Sequence, residues 1–304
     1  MHRFLCSVPF AVAVWLASFP PTEASLQCPA GAELAAEDAP TTEVSWHTDY
    51  RRAMDVAKEQ GKMLLIFFHD PHDGEKSDRF QAETLDNPAV RTKLQNYVCA
   101  RLPVDTAIVI DGKELTLLKH EAFREMLGKP GVAVLDLANP DSKHYGYVVS
   151  TFPLTERFRY SPEKMQVILD LPPGTLTQRT MIYAVRTHPD KPASTDGTID
   201  PNLLKEAESH SQYQARIRLQ GHHRWAARFP RINALLPQGL TAREVCAESW
   251  PGENLVEAAI ECVRCWRLSS GHWSAVGARQ GRYGYDIKRG GNGIWYATGI
   301  FGGR

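Results

Sequence analysis

Residues 63–80 read MLLIFFHDPHDGEKSDRF, and the order of side-chain types in this stretch decides the class of fold. Met63–Phe68 is an unbroken apolar run, the pattern of a strand buried on both faces. HDPHDG follows, dense in turn formers, and a helical run leaves it from Glu75 onward. In a dithiol redox protein of this layout a Cys-x-x-Cys pair opens the helix, where the N-terminal dipole lowers a thiol pKa. Residues 67–80 contain no cysteine. His69, Asp70, His72 and Asp73 offer metal-ligand atoms there instead. Adjacent loop residues rarely converge on one ion, and Asp, Pro and Gly are ordinary turn formers, so the loop is read as a turn.

Outward from that stretch the pattern is α/β. YRRAMDVAKEQGK (50–62) places Ala53, Val56 and Ala57 at helical spacing and ends at Gly61. ETLDNPAVRTKLQNY (83–97) reads as a helix bent near Pro88, and VCARLPV as the next strand. After an insert, PGVAVLDL and YGYVVSTF read as paired strands. SPEKMQVILD begins a helix with Ser161 as cap and Pro162 at its first position. The element order, α-β-α-β-α-β-β-α, is that of an α/β domain.

The chain has 304 residues, room for two domains. Lys+Arg and Asp+Glu stand at 35 each, and no basic run clusters, which argues against nucleic acid as a partner. Residues 1–24 carry Arg3, an apolar segment over 4–19 and small residues before Ala24, the features of a cleaved secretory signal. An uncleaved N-terminal anchor is the alternative reading. No other segment is long and apolar enough to span a bilayer, so no stable span is expected after cleavage. The expected location is secreted or periplasmic. Residues 25–43 are small, acidic and Pro-containing, a flexible lead-in. Loss of Cys6 with the signal leaves Cys28, Cys99, Cys246, Cys262 and Cys265, an odd set in a compartment that permits disulfides.

Residues 44–172 are assigned to the first domain. Trp46, Tyr50, Ala53, GKMLLIFF, ETLDNPAV and KPGVAVLDL together resemble the thioredoxin fold, in its exported branch. The resemblance implies a cis-proline at Pro130, opposite the loop. It does not carry the activity over, because the dithiol is missing. Cys99, in an apolar strand, reads as an inert core residue.

Pro172-Pro173-Gly174 punctuates the chain, and Thr175-x-x-Gln178 is a capping box for a helix running to about Arg186. A second domain, 174–304, is long enough to bury most of its apolar surface. It reads as a helix over 203–219, a basic-aromatic segment, the strand EVCAES, a helix over 254–268 and two terminal strands, YGYDIK and IWYATGIF. Leu255, Ala258, Ala259, Cys262 and Trp266 share one helical face. Asn254 and Glu257 can cap that helix, and Gly271 can end it, leaving His272 on a turn.

CWRLSSGHW, LLKEAESHSQYQARIRLQGHH and the closing YGYDIKRGGNGIWYATGIFG resemble the CAP superfamily of cysteine-rich secretory, antigen and pathogenesis-related proteins, bacterial type. The resemblance covers 175–302 and implies an αβα sandwich. It also implies a cavity lined by His222, Glu244 and His272, able to hold a divalent metal such as zinc or to form a polar network. A second family glutamate is replaced by Ser269. His223, Glu248 and Glu253 are further candidates, Glu253 being read as a helix-start acid. Cys262 and Cys265, in mid-helix, read as core rather than redox, and a Cys246–Cys262 bridge stays open. No catalytic residue is assigned. The expected function is an exported binding protein for an extracytoplasmic ligand or protein. The alternatives are a zinc-dependent hydrolase with Glu244 as base and a thiol redox protein using Cys262 and Cys265.

Overall fold

The computed structural model describes residues 43–304 apart from Asp73 and Asp111. The leader, nearly all of the lead-in and Cys28 lie outside the described residues. The described residues form one compact unit.

Strand β1 (Trp46–His47) leads to helix α1 (Tyr50–Gln60), begun by the Asp49 carboxylate, which accepts from the Arg52 amide, and ended by Gly61 in the left-handed conformation. Strand β2 (Met63–His69) is the apolar run of the opening stretch. Helix α2 (Gly74–Phe80), a π-turn over 81–85 and helix α3 (Pro88–Leu94) follow. The expected bend at Pro88 is therefore a full break, with Asn87 capping a new helix. Next come β3 (Tyr97–Pro103), a β4 (Ala107–Ile110) and β5 (Lys113–Thr116) hairpin, β6 (Gly131–Leu135), β7 (Val148–Pro153) and α4 (Pro162–Leu169). The first sheet has the order β1-β3-β2-β6-β7, parallel across β1, β3 and β2 and antiparallel through β6 and β7. Successive side chains of β2 serve opposite faces. Leu64, Ile66 and Phe68 pack with Ala53 and Ala57 of α1, whereas Leu65 and Phe67 join the larger core.

The expected cis bond at Pro130 is not found: no peptide bond among the described residues is cis. The reversal there is made instead by left-handed Leu127 and Gly128 and by Gly131 at φ +142°. A Cβ on Gly131 would meet the Phe152 carbonyl oxygen at 2.3 Å, so the turn depends on a residue without one.

The second half contains α5 (Leu176–Arg186), β8 (Thr198–Ile199), α6 (Pro201–Ile217), α7 (Trp225–Asn233), β9 (Thr241–Glu248), α8 (Leu255–Arg267), α9 (Ser270–Gly277), β10 (Arg282–Arg289) and β11 (Trp295–Gly303). The capping boxes at Thr175/Gln178 and Asn254/Glu257 both form. Its sheet has the order β8-β10-β11-β9. Tyr283, Tyr285 and Ile287 of β10 pack with Trp266 of α8, and α6 covers the opposite face. The approach of α6 is close: a Cβ on Gly284 would meet the Leu203–Leu204 backbone at 2.4 Å. Helix α8 ends at Arg267, and Gly271 does not terminate it. Ser269 begins α9, so His272 sits in a helical first turn rather than on the expected turn.

Helix α5 lies between the two sheets. Every residue from Gln178 to Val185 is buried, as expected of a helix covered on all sides. Tyr183 meets Phe152 of β7 at a ring distance of 4.7 Å, and Thr177 Oγ1 donates to Asp286 Oδ1 of β10 at 2.6 Å. The apolar core is therefore continuous from Leu65 to Phe301.

Candidate functional site

His210, His222, Glu244 and His272 come from four separate elements. Helix α6 ends with Arg218 in the left-handed conformation, and the chain turns back along it. That return is fixed by side chains of α6. Gln214 Oε1 accepts from the Gly221 amide at 3.0 Å, while His210 Nε2 donates to the Gly221 carbonyl at 2.9 Å. His222, the next residue, is thereby aimed at β9. Glu244 and Cys246 occupy alternate positions of that strand, opposite Ile300 and Thr298 of β11.

The Glu244 carboxylate is the centre of the cluster, with its side chain only 1% exposed. Arg228 Nη2 of α7 donates to Oε2 at 2.6 Å, and His222 Nδ1 donates to Oε1 at 3.1 Å. His210 Nε2 lies 3.7 Å from Oε1. Burial alone would raise this carboxyl, but the hydrogen bonds from His222 and Arg228 outweigh it and hold Glu244 below its ordinary range. A carboxylate at Nδ1 fixes the His222 tautomer and leaves the Nε2 lone pair outward. His272 Nε2 stands 3.4 Å from that nitrogen. Burial, then the neighbouring His222, lowers the pKa of His272, and burial is also the largest influence lowering that of His210.

The structure thus brings His222, Glu244 and His272 together, with His222 in the middle. Of the adjacent pair, His223 turns the other way, with Nε2 on the Leu219 carbonyl and its ring against Tyr213. Glu253 accepts from the Trp250 amide, a local contact at the start of α8. Among the described residues the only group of three or more side chains with ligand atoms close enough to share an ion is His210, Glu244 and Cys246. The loop at 69–72 does not converge. Asp70 Oδ1 instead accepts from the His72 amide, an Asx turn.

Arg228 escaped the sequence reading, because one arginine among many in a basic-aromatic segment carries no distinguishing signal. His210 appeared there only as a motif marker. Cys246 was considered for a bridge, but Cys99, Cys246, Cys262 and Cys265 are all free. Cys246 Sγ lies 3.8 Å from His222 Nδ1, and burial holds its thiol well above its usual value.

Residues 45–135 match a family described as thioredoxin-like. Among solved structures, an outer surface protein from Borrelia burgdorferi is similar at 22% identity and a TM-score of 0.29, covering 36% of this chain and 77% of that one. A thioredoxin from Thermus thermophilus is similar at 25% identity and a TM-score of 0.23, covering 30% of this chain and 64% of that one. No curated protein matches the chain.

Proposed function

We propose that this chain is an extracytoplasmic binding protein: a thioredoxin-like half without dithiol chemistry, joined to a CAP-like half in which His222 and His272 take a divalent ion such as zinc. The observation that carries the metal reading is the 3.4 Å separation of the two Nε2 atoms. Two nitrogens at ~2.0–2.1 Å from a tetrahedral zinc lie about 3.3–3.4 Å apart. Glu244 supports His222 from behind, the carboxylate–histidine arrangement that raises ligand basicity. Both ligands are on the accessible side of the cluster, which leaves the remaining coordination positions for water or a bound partner. The hydrolase reading gains nothing from Glu244, whose oxygens are both engaged and buried.

Zinc titrated calorimetrically into the full chain should bind with unit stoichiometry. His272→Ala should weaken it by about ten-fold or more. Bound ions need neutral imidazoles, so affinity should fall as pH drops through the histidine range near ~6.5. The lowered pKa of His272 keeps that ligand available to a lower pH than an ordinary histidine. Absence of binding, or equal affinity in His222→Ala and wild type, would reduce the cluster to a structural network.

For the thioredoxin-like half, the reading rests on the cysteine-free loop and on Cys99, whose thiol burial pushes up to about 12. A thiol that stays protonated at neutral pH is a poor nucleophile. In an insulin-reduction assay with dithiothreitol the chain should match a protein-free control. Turnover that disappears in Cys99→Ser would refute this.

A further inference from the structure

A cleft of about 950 Å³ runs along the outer face of α6, between the end of β10, the start of α5 and the 3₁₀ helix Glu121–Met126. Its volume is that of a small-ligand site. None of His210, His222, Glu244 or His272 lines it. Six of its walls are cations: Arg124, Lys205, Arg216, Arg218, Lys288 and Arg289. Its two carboxylates are already engaged, Glu125 with Arg124 at 3.7 Å and Glu208 with Lys288 at 3.0 Å. Among the described residues, no carboxylate lies within 4.0 Å of Lys205, Arg216, Arg218 or Arg289. The cleft therefore holds an excess of positive charge, although the whole chain is neutral.

Two of the guanidinium groups lie over aromatic rings. Arg216 lies over the Tyr213 ring at 5.3 Å, and Arg289 over the Trp295 ring at 5.9 Å. Arg218 occupies the left-handed helix-end position that glycine usually takes. Its Nη2 rests where a Cβ on Gly291 would be 3.4 Å away. Planar forks left without a carboxylate match the oxygens of a carboxylate or phosphate. From this we propose that the α6 cleft is a binding site for a small, multiply charged oxyanion ligand, with Arg216, Arg218 and Arg289 as its principal contacts and Lys205 adding long-range attraction.

The test uses the full chain in metal-free buffer at low salt, with pyrophosphate and citrate as separate probes and calorimetry as the readout. One-to-one binding of either anion that weakens with added salt is expected. Preference for pyrophosphate assigns phosphate chemistry, and preference for citrate assigns carboxylate chemistry. Arg216→Gln combined with Arg218→Gln should weaken the preferred anion by about ten-fold or more. Arg216→Lys with Arg218→Lys keeps the charge, loses the fork and should fall between that pair and wild type. His272→Ala should leave anion affinity unchanged. Failure to bind both probes overturns the proposal. So does full affinity in the double glutamine variant, or loss of affinity in His272→Ala, which would move the anion to the histidine pair.

Discussion

Replacing Arg179 by alanine should lower the free energy of unfolding by about 3–5 kcal/mol, through orphaned hydrogen-bond partners and the cavity left behind. Arg179 is fully buried on α5 and has no carboxylate partner among the described residues. Its Nε donates to Ser150 Oγ of β7 at 2.8 Å, and its Nη1 donates to the carbonyls of Leu171 and Pro172 at 2.8 and 2.9 Å. Nη2 is buried with no hydrogen-bond partner, so the group is not fully satisfied even in the native state. Its removal nevertheless orphans one hydroxyl and two carbonyls, each costing about 1–3 kcal/mol where water cannot reach. Alanine adds a cavity, whereas Arg179→Leu fills most of it and should cost less. Urea unfolding followed by tryptophan fluorescence measures both. If neither variant loses stability, Arg179 is not what joins α5 to the first sheet.

Glu244→Ala should have two separable consequences. It strands Arg228, and breaking a buried pair costs about 3–5 kcal/mol. The lower end is expected, because the Arg228 side chain is 14% exposed and can recover some hydration. It also frees His222 Nδ1, so zinc affinity should drop about 10–100-fold. The pH dependence has a definite sign. The folded carboxyl lies below its ordinary range, so the ionised form favours the fold. That contribution is complete above ~4.3, the unfolded value, and is lost as pH falls through the folded value. Wild type should therefore lose stability on acidification more steeply than Glu244→Ala. Parallel acid profiles would show that the Arg228 and His222 contacts contribute nothing net. A stability loss without any zinc effect would separate the structural role from the metal reading.

The features legible in the sequence are those with local causes. The unbroken run Met63–Phe68 announced β2, Gly61 announced the end of α1, and two capping boxes placed the starts of α5 and α8. What the sequence hid depends on distant partners. Strands β1 and β8 are two residues each and carry no periodicity. Arg179 stands in LTQRT, which by composition is a solvated helix face, and only the approach of β7 buries it. Pro172-Pro173-Gly174 looks like a linker, yet Pro172 O accepts from Arg179 in the interior. His222, Glu244 and His272 were placed by position in a family pattern. Their contacts with Arg228 and His210 follow from the return of the chain along α6, which hydrogen bonds to Gly221 determine.

The position of α5 bears on how such a chain can change over time. One helix faces two sheets, so a volume change at Tyr183 or a charge change at Arg179 must be answered by both halves together. Arg186 shows the same double obligation, donating to the Asp170 carbonyl on one side and the Tyr283 hydroxyl on the other. Neither half can be swapped for a relative's copy without also importing the matching surface of its neighbour. Recombination across residues 170–175 should therefore yield few viable hybrids, and drift at the exposed side chains of the cationic cleft should be far freer than drift along this helix.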